Sequence, residues 1–209
     1  MVIETIDEAI RLGMGRSACT GGVSTGKVGG GAGTTLLVDE PEFALGVPAG
    51  VCIRPFSIYA QCQTGITTAD ADESEILIAV DSLGYWNGNG TCTIVDPSNL
   101  RTDLDKGSMC RVGQAVTGAL TTTPGYGAAA AADPVLDMEL DRTVQTANFG
   151  DATGITDLML DLKWEPEHPP YLVGPCSLFI YFGGTRATVG CFAQVKWVEG
   201  KISDFLPAV

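Results

Sequence analysis

The sequence predicts an all-β domain, a jelly-roll β-sandwich of about eight antiparallel strands that follows a glycine-rich N-terminal arm. Three observations lead to this prediction. Short runs in which apolar and polar residues alternate recur from residue 34 onward, with the period of a half-buried strand. The 27 glycines and 11 prolines fall between these runs, as turn residues do in proteins with many short strands. No convincing helical pattern follows residue 33.

Residues 1–33 are predicted to form the arm, and residues 34–209 the sandwich domain. Residues 3–12 suit either a short amphipathic helix or an extended segment that becomes ordered only on a partner. Residues 13–33 contain nine glycines. Such a segment has few side chains to bury and much backbone freedom to lose, so we expect it to be ordered by a partner.

The predicted strands are recognised by alternation in most cases and by a short apolar run in the others. The run 75–81 is apolar on both sides, which predicts a strand that is covered on both faces. Pro55 interrupts the longest run, which predicts a sheet edge or a bulge at that point. The predicted strands are 35–38, 43–47, 51–63, 75–81, 91–95, 109–116, 135–144, 155–164, 176–182 and 189–198.

The alternation also predicts which side chains face the core. Gly183 and Gly184 with Thr185 separate the last two strands and predict a hairpin there. The sets predicted to face inward are Cys52, Phe56, Ile58, Ala60 and Cys62, and Leu158, Leu160, Leu162 and Trp164. Three further sets are each predicted to share one face of a strand: Leu136, Met138 and Leu140; Cys176, Leu178, Ile180 and Phe182; and Cys191, Ala193, Val195 and Trp197.

The charge and cysteine content restrict the partners and the compartment. A formal net charge of −13 makes nucleic acid an unsuitable direct partner, because phosphate binding needs clustered lysine and arginine. No apolar run has the length of a membrane span, and acidic residues interrupt the N-terminus where an export signal would be apolar. The seven cysteines are therefore expected to be thiols of a protein made in the cytoplasm.

No motif predicts catalysis, a metal or a cofactor. Residues 21–27 fit GxxxxGK, but Val28 replaces the serine or threonine that a P-loop needs, and no strand–helix context surrounds the motif. The acidic run 70–75 lacks the glycine and the spaced glutamate of a helix–loop–helix calcium site, and is expected to be a charged loop tip. His168 is the one histidine and lies among prolines. We therefore expect no enzyme.

Tyr85 and Trp86 precede a predicted tight turn, Asn87-Gly88-Asn89-Gly90. They are candidates for a surface aromatic contact, either a sugar-stacking platform or an interface anchor. They could equally form a lid over the end of the sandwich.

Several segments resemble structural proteins of tailed bacteriophages, namely 29–42, 47–50, 75–81, 169–175 and 192–197. The resemblance spans most of residues 29–198 and is to capsid cement (decoration) proteins of the jelly-roll type. It implies a viral structural protein that binds the exterior of the icosahedral head as a homotrimer. The implied partner is the major capsid protein, and the implied location is the virion. The arm would supply the capsid contacts, with Ile3, Ile6, Ile10, Leu12 and Arg16 as candidates.

Two other functions remain open at this point. A carbohydrate-binding jelly roll on a head fibre or tail would show exposed aromatic side chains in a concave site. A small shell-forming capsid protein would need a basic arm for the genome. Residues 1–35 contain three cations, which are balanced by Glu4, Asp7 and Glu8, so the charge of the arm argues against that function.

Overall fold

A computed structural model describes residues 3–20, 28–30, 38, 41–65, 72–86, 92–104, 106–114, 134–147, 157–184 and 189–207. Within these residues the chain forms thirteen strands and two short helices. They are α1 (Ile6–Arg11), β1 (Gly15–Cys19), β2 (Val28–Gly30), β3 (Phe43–Val47), β4 (Val51–Gly65), β5 (Asp72–Asp81), β6 (Thr93–Val95), β7 (Ser98–Asn99), β8 (Arg111–Gln114), β9 (Met138–Ala147), β10 (Asp157–Trp164), β11 (Leu172–Val173), β12 (Cys176–Gly184), β13 (Val189–Lys201) and α2 (Ile202–Phe205).

The strands form two antiparallel sheets. Sheet A has the order β10-β4-β13-β1-β7, with β11 paired to β4 and β2 paired to β13. Sheet B has the order β6-β8-β3-β12-β5-β9. The predicted all-β sandwich is confirmed, whereas the jelly-roll order of its strands stays a prediction.

The main core lies between the two sheets and follows the alternation of the sequence. Sheet B contributes the even-numbered residues of β5 and β12, and sheet A contributes the odd-numbered residues of β13. Trp197 and Phe43 are its largest fully buried side chains. A second cluster covers the other face of sheet B, where Leu77, Phe179 and Tyr181 pack with Trp86. The prediction that β5 is apolar on both faces because both are covered is therefore confirmed.

The inward set predicted for β4 is wrong in its first half. Ile58, Ala60 and Cys62 face the main core, but Cys52 and Phe56 face a third cluster on the other side of sheet A. The register between β4 and β13 shifts where Lys196 pairs with Ser57 and Trp197 pairs with Pro55. This extra residue reverses the alternation, so Val51 and Ile53 take the core positions.

Three further expectations differ from the structure. The last two strands form no hairpin, because β12 belongs to sheet B and β13 to sheet A. Four residues after β13 form the short helix α2, whose pattern was too brief to predict. The acidic residues 72–75 are no loop tip but the start of β5, which pairs with β9 from Asp72 onward.

The described part of the N-terminal segment, residues 3–20 and 28–30, packs on the sandwich or pairs with its strands, which corrects the expectation of an arm that is ordered only by a partner. β1 pairs with β13 from Gly15–Val198 to Cys19–Gln194, and the Ile3 backbone N–H donates to the Asp204 carbonyl at 2.7 Å. Gly15 permits the close packing of Ile10 and Leu100, because an added Cβ would lie 3.0 Å from a side-chain atom of each. The GxxxxGK segment at 21–27 and most of the predicted strand 35–38 lie outside the described residues.

Candidate functional site

Three of the five candidate arm residues, Ile3, Ile6 and Ile10, lie on the outer face of sheet A. Thr5 caps α1, since its Oγ1 accepts a hydrogen bond from the Glu8 backbone N–H at 3.1 Å. Ile3 is buried, and Ile6 and Ile10 pack partly buried against the same cluster, which also contains Ala9, Cys52, Val198 and Phe205. Of the five candidates, Leu12 alone is exposed, with 45% of its surface accessible. The apolar face of this segment is thus used inside its own domain.

Arg16 is buried in an ion pair with Glu199 of β13. Arg16 Nε lies 3.0 Å from Glu199 Oε1, and the two side chains are 5% and 0% exposed. Nε makes no hydrogen bond in this geometry, so the contact is a purely electrostatic attraction. The two terminal nitrogens donate to the carbonyls of Gly13, Gly15 and Gly107, at 2.8, 2.9 and 3.2 Å. The guanidinium thus joins the N-terminal segment to the loop before β8.

The Glu199 carboxylate accepts three further hydrogen bonds. Ser108 Oγ donates to Oε2 at 2.6 Å, and Trp197 Nε1 donates to the same atom at 3.0 Å. The Met109 backbone N–H donates to Oε1 at 2.9 Å. A buried carboxylate is tolerated when its oxygens are satisfied and a cation is near. Glu199 therefore holds three segments of the chain together, namely β1, β13 and the loop 106–110.

This ion pair was missed by the sequence reasoning, although a signal was present. The alternation placed Trp197 on the apolar face of its strand, and Glu199 lies two residues further along the same face. A charged residue on an inward face requires a buried partner. Arg16 could not be recognised as that partner, because its segment was assigned to a separate arm.

An open cavity of about 810 Å³ adjoins the ion pair and is lined by the stretch from Ile94 to Val112. We call it the edge cavity, because it includes β6, the outermost strand of sheet B, and β7, the outermost strand of sheet A. Its cations are Arg101, Lys106 and Arg111. The lining also contains the acid Asp96, and Asp103 is paired with Arg101, so cations and acids stand together at this cavity.

The cations of the edge cavity differ in their surroundings. Arg101 Nε donates to Asp103 at 3.0 Å, and its terminal nitrogens contact Asp103 and the carbonyl of Arg11. Arg101 therefore joins the cavity wall to the end of α1. Lys106 and Arg111 are exposed. Two of the three cations therefore lie exposed near the acids Asp96 and Asp103, which are also exposed.

Cys110 lines the edge cavity but is poorly placed for nucleophilic chemistry. Burial raises the pKa of its thiol well above the ordinary value, and the nearby Glu199 carboxylate raises it further. The thiolate is the reactive form of cysteine, so this thiol stays protonated at neutral pH. Cys19, Cys52, Cys92 and Cys176 are free thiols as well.

The candidate aromatic contact at Tyr85 and Trp86 is not on the surface. Tyr85 is 6% and Trp86 2% exposed, and both pack on the outer face of sheet B. Ser177 Oγ accepts from the Trp86 backbone N–H at 3.1 Å and donates to its carbonyl at 3.2 Å. The expectation of an exposed platform is therefore wrong, because the rings fill an apolar cluster and are held there by their backbone.

Asp81 fixes the loop that carries these two aromatic residues. Its carboxylate accepts hydrogen bonds from the backbone N–H groups of Leu83 at 2.9 Å and Tyr85 at 2.6 Å. Gly84 between them has φ of +65°, a conformation that glycine adopts without steric cost. Burial raises the pKa of Asp81, and these two backbone donors oppose that rise. Asp81 thus acts as a structural cap of the loop.

Metal ligation and aromatic stacking find little support in the described part of the chain. Its residues contain no group of three histidine, cysteine or acidic side chains that could hold a metal ion. His168 is fully accessible, and its Nε2 lies 4.0 Å from Glu167. Tyr171 is an exposed aromatic residue, with the Arg54 guanidinium 4.5 Å from its ring centre. None of the described helices is long and apolar enough to cross a membrane.

Fold and site together define an all-β sandwich protein with a cavity beside the outermost described strands of its two sheets. The chain matches no model of a known protein family, and no curated protein matches it either. The function is therefore argued from the residues of the chain itself.

Proposed function

We propose that this protein is a phage cement protein, which binds the outer surface of an icosahedral head as a homotrimer and contacts the major capsid protein. The observation that carries the proposal is a packed sandwich whose outermost strands in sheet B, β6 and β9, each pair with a single strand among the described residues and bear exposed apolar side chains. Such edges are usually protected in monomeric proteins. The resemblance of residues 29–198 to phage structural proteins supplies the class of partner.

The acidic character of the chain supports an exterior position. A net charge of −13 would repel packaged DNA, and on the outside of a shell it would keep particles apart in solution. Many weak contacts per trimer would reinforce a shell, since linked sites bind with a high effective concentration.

The packing of residues 3–20 changes how the capsid contact is proposed to work. The segment would act as a preformed patch, because its apolar face is already buried against β13 and α2. Leu12 is then the candidate that remains free to touch the capsid. Preformed patches lose less conformational entropy on binding than flexible arms do.

The test combines the mass of the protein with its binding to heads. Light scattering at micromolar concentration should give a trimer, and the trimer should co-sediment with expanded, DNA-free heads of the phage whose genome encodes it. Leu12→Asp should weaken co-sedimentation, while Leu83→Asp, which changes a similarly exposed leucine in the turn after β5, should not. A monomeric mass together with absent co-sedimentation would refute the proposal.

A carbohydrate-binding function has less support, because Trp86 is enclosed. Glycan binding that is lost in Tyr171→Ala and retained in Trp86→Phe would favour that function over the cement function.

A further inference from the structure

Cys62 of β4 and Cys191 of β13 are partners in the register of sheet A. Both side chains belong to the main core, where Cys62 is 0% and Cys191 is 3% exposed. Directly opposed residues of neighbouring antiparallel strands project from the same face of the sheet. Among the register pairs of the described strands, this pair alone joins two cysteines.

The backbone of β13 places the two cysteines at a closely spaced position of the ladder. The Ala193 carbonyl accepts a hydrogen bond from the Thr20 backbone N–H at 2.9 Å, and the Ala193 N–H donates to Thr20 Oγ1 at 3.0 Å. Both backbone groups of Ala193 therefore point away from β4. Residues two apart on a strand direct their backbone groups to the same side, so those of Cys191 also point away from β4. Cys191 and Cys62 thus form a non-hydrogen-bonded pair, in which the Cα atoms are about 4.5 Å apart.

This spacing is compatible with a disulfide bond. Disulfides join residues whose Cα atoms are about 4.4–6.8 Å apart. Other described cysteines are arranged differently, since Cys52 and Cys176 face different core clusters and Cys19 opposes Gln194. The geometry therefore selects one pair for oxidation.

We infer that Cys62 and Cys191 form a disulfide when the protein meets a small-molecule disulfide such as oxidised glutathione. The thiolate of one cysteine attacks a sulfur of oxidised glutathione, which releases one glutathione and leaves a mixed disulfide. The thiolate of the other cysteine attacks the cysteine sulfur of that mixed disulfide and releases the second glutathione. The cysteine pair loses two electrons and two protons, and one oxidised glutathione becomes two thiols. The inference does not depend on the cement function.

The position of the pair in the ladder allows the reagent to reach it. A buried thiol reacts slowly, because little thiolate forms in apolar surroundings. The pair lies two positions from the Thr64–Val189 end of the described β4–β13 ladder. Strand ends open more readily than the centre of a sheet. We therefore expect local opening of this end to expose the two thiols.

The bond would join the two longest strands of the protein, β4 and β13. It closes a loop that contains more than half of the chain. A cross-link restricts the unfolded chain more strongly when the loop is longer, so the Tm of the oxidised protein should be about 4–16 °C above that of the reduced protein.

The test treats the full-length protein with oxidised glutathione in a series of urea concentrations that ends just below the unfolding transition, where strand ends open often. Digestion without reduction, followed by mass spectrometry, should yield a peptide that joins Cys62 to Cys191. Cys62→Ala and Cys191→Ala should each abolish that peptide and the rise in Tm. Cys176→Ala is the matched control, because Cys176 is buried in the same core but opposes Val47, and it should keep both.

The inference is wrong if the joined peptide is absent after the whole urea series, whichever other cysteines form pairs. Glutathione attached to Cys62 or Cys191 without the joined peptide would be equally contrary, because the sulfur atoms would then be accessible but unable to bond. Circular dichroism confirms that each variant is folded before oxidation.

Discussion

Replacement of Arg16 by methionine should strongly destabilise the protein. Loss of one partner of a buried ion pair costs about 3–5 kcal/mol, because the other charge stays buried without compensation. Glu199 keeps three hydrogen-bond donors, which favours the lower end of this range. The three carbonyls that Arg16 serves lose their donor, which favours the upper end. We expect the free energy of unfolding to fall by about 4 kcal/mol.

Urea unfolding followed by tryptophan fluorescence and circular dichroism measures this change. A loss of 4 kcal/mol corresponds to a fall of about 8–16 °C in Tm for a domain of this size. Arg111→Met is the matched control, because Arg111 is exposed and should change stability by less than about 0.5 kcal/mol.

The double variant Arg16→Met/Glu199→Met tests the cause. It removes both charges together, so it should be much less destabilised than the sum of the two single variants. Two results would show that the ion pair is not a main stabilising contact of the fold. One is simple additivity of the two single changes. The other is a decrease of less than about 1 kcal/mol in the free energy of unfolding for Arg16→Met alone.

Three further predictions concern other sites. The folded-state pKa of Asp81 is raised above its ordinary 3.8, so the native state binds this proton more tightly than the unfolded state; its contribution to stability should therefore fall as pH rises from about 4 through the raised pKa. The stability advantage of wild type over Asp81→Asn should shrink over that window in urea unfolding at stepped pH, and a constant difference would contradict the burial argument. Gly113→Ala should lower stability by about 1–3 kcal/mol, because the added Cβ would lie 2.6 Å from Cη2 of Trp86; an unchanged Tm would show that the ring moves freely. Cys110 should react with iodoacetamide at pH 8 only on unfolding, by mass spectrometry of the labelled peptide, since burial keeps its thiol protonated; labelling of the native protein at the rate of a free thiol would be the contrary result.

The structure also changes what a truncation can test. Deletion of residues 1–33 would be a suitable test of capsid binding if the segment were an arm separate from the sandwich. It would remove β1 and Arg16, and would leave Glu199 buried without its cation. We now expect that truncation to unfold the domain, so point variants at Leu12 are the better probe of docking.

Strand positions and core faces were predictable because alternation is a local property. The runs at β5, β12 and β13 have clear inward faces, and the structure places those faces in the core. The prediction failed where geometry depends on partners. The register shift near Pro55 reversed one half of β4, and the chain passes from sheet B to sheet A after β12, which no local pattern records.

The candidate site was less predictable for the same reason. The edge cavity is lined by residues that are close in sequence, but two of them, Gly107 and Ser108, are hydrogen-bonded to Arg16 and Glu199, each 91 residues away along the chain. Tyr85 and Trp86 were misplaced because a turn-like sequence beside aromatic residues is compatible with exposure and with burial. The neighbours that decide between them are on β12, far along the chain.

The position of β13 in the middle of sheet A has a consequence for the order of folding. It pairs with β4 over thirteen positions on one side and with β1 on the other, and Gly15 and Val198 are register partners. Sheet A therefore cannot assemble before nearly all of the described chain has been synthesised. Domains dominated by such distant pairings fold slowly. The hydrophobic strands that are synthesised before β13 therefore stay unpaired for some time. During that time, contacts between incompletely folded copies would lead to aggregation.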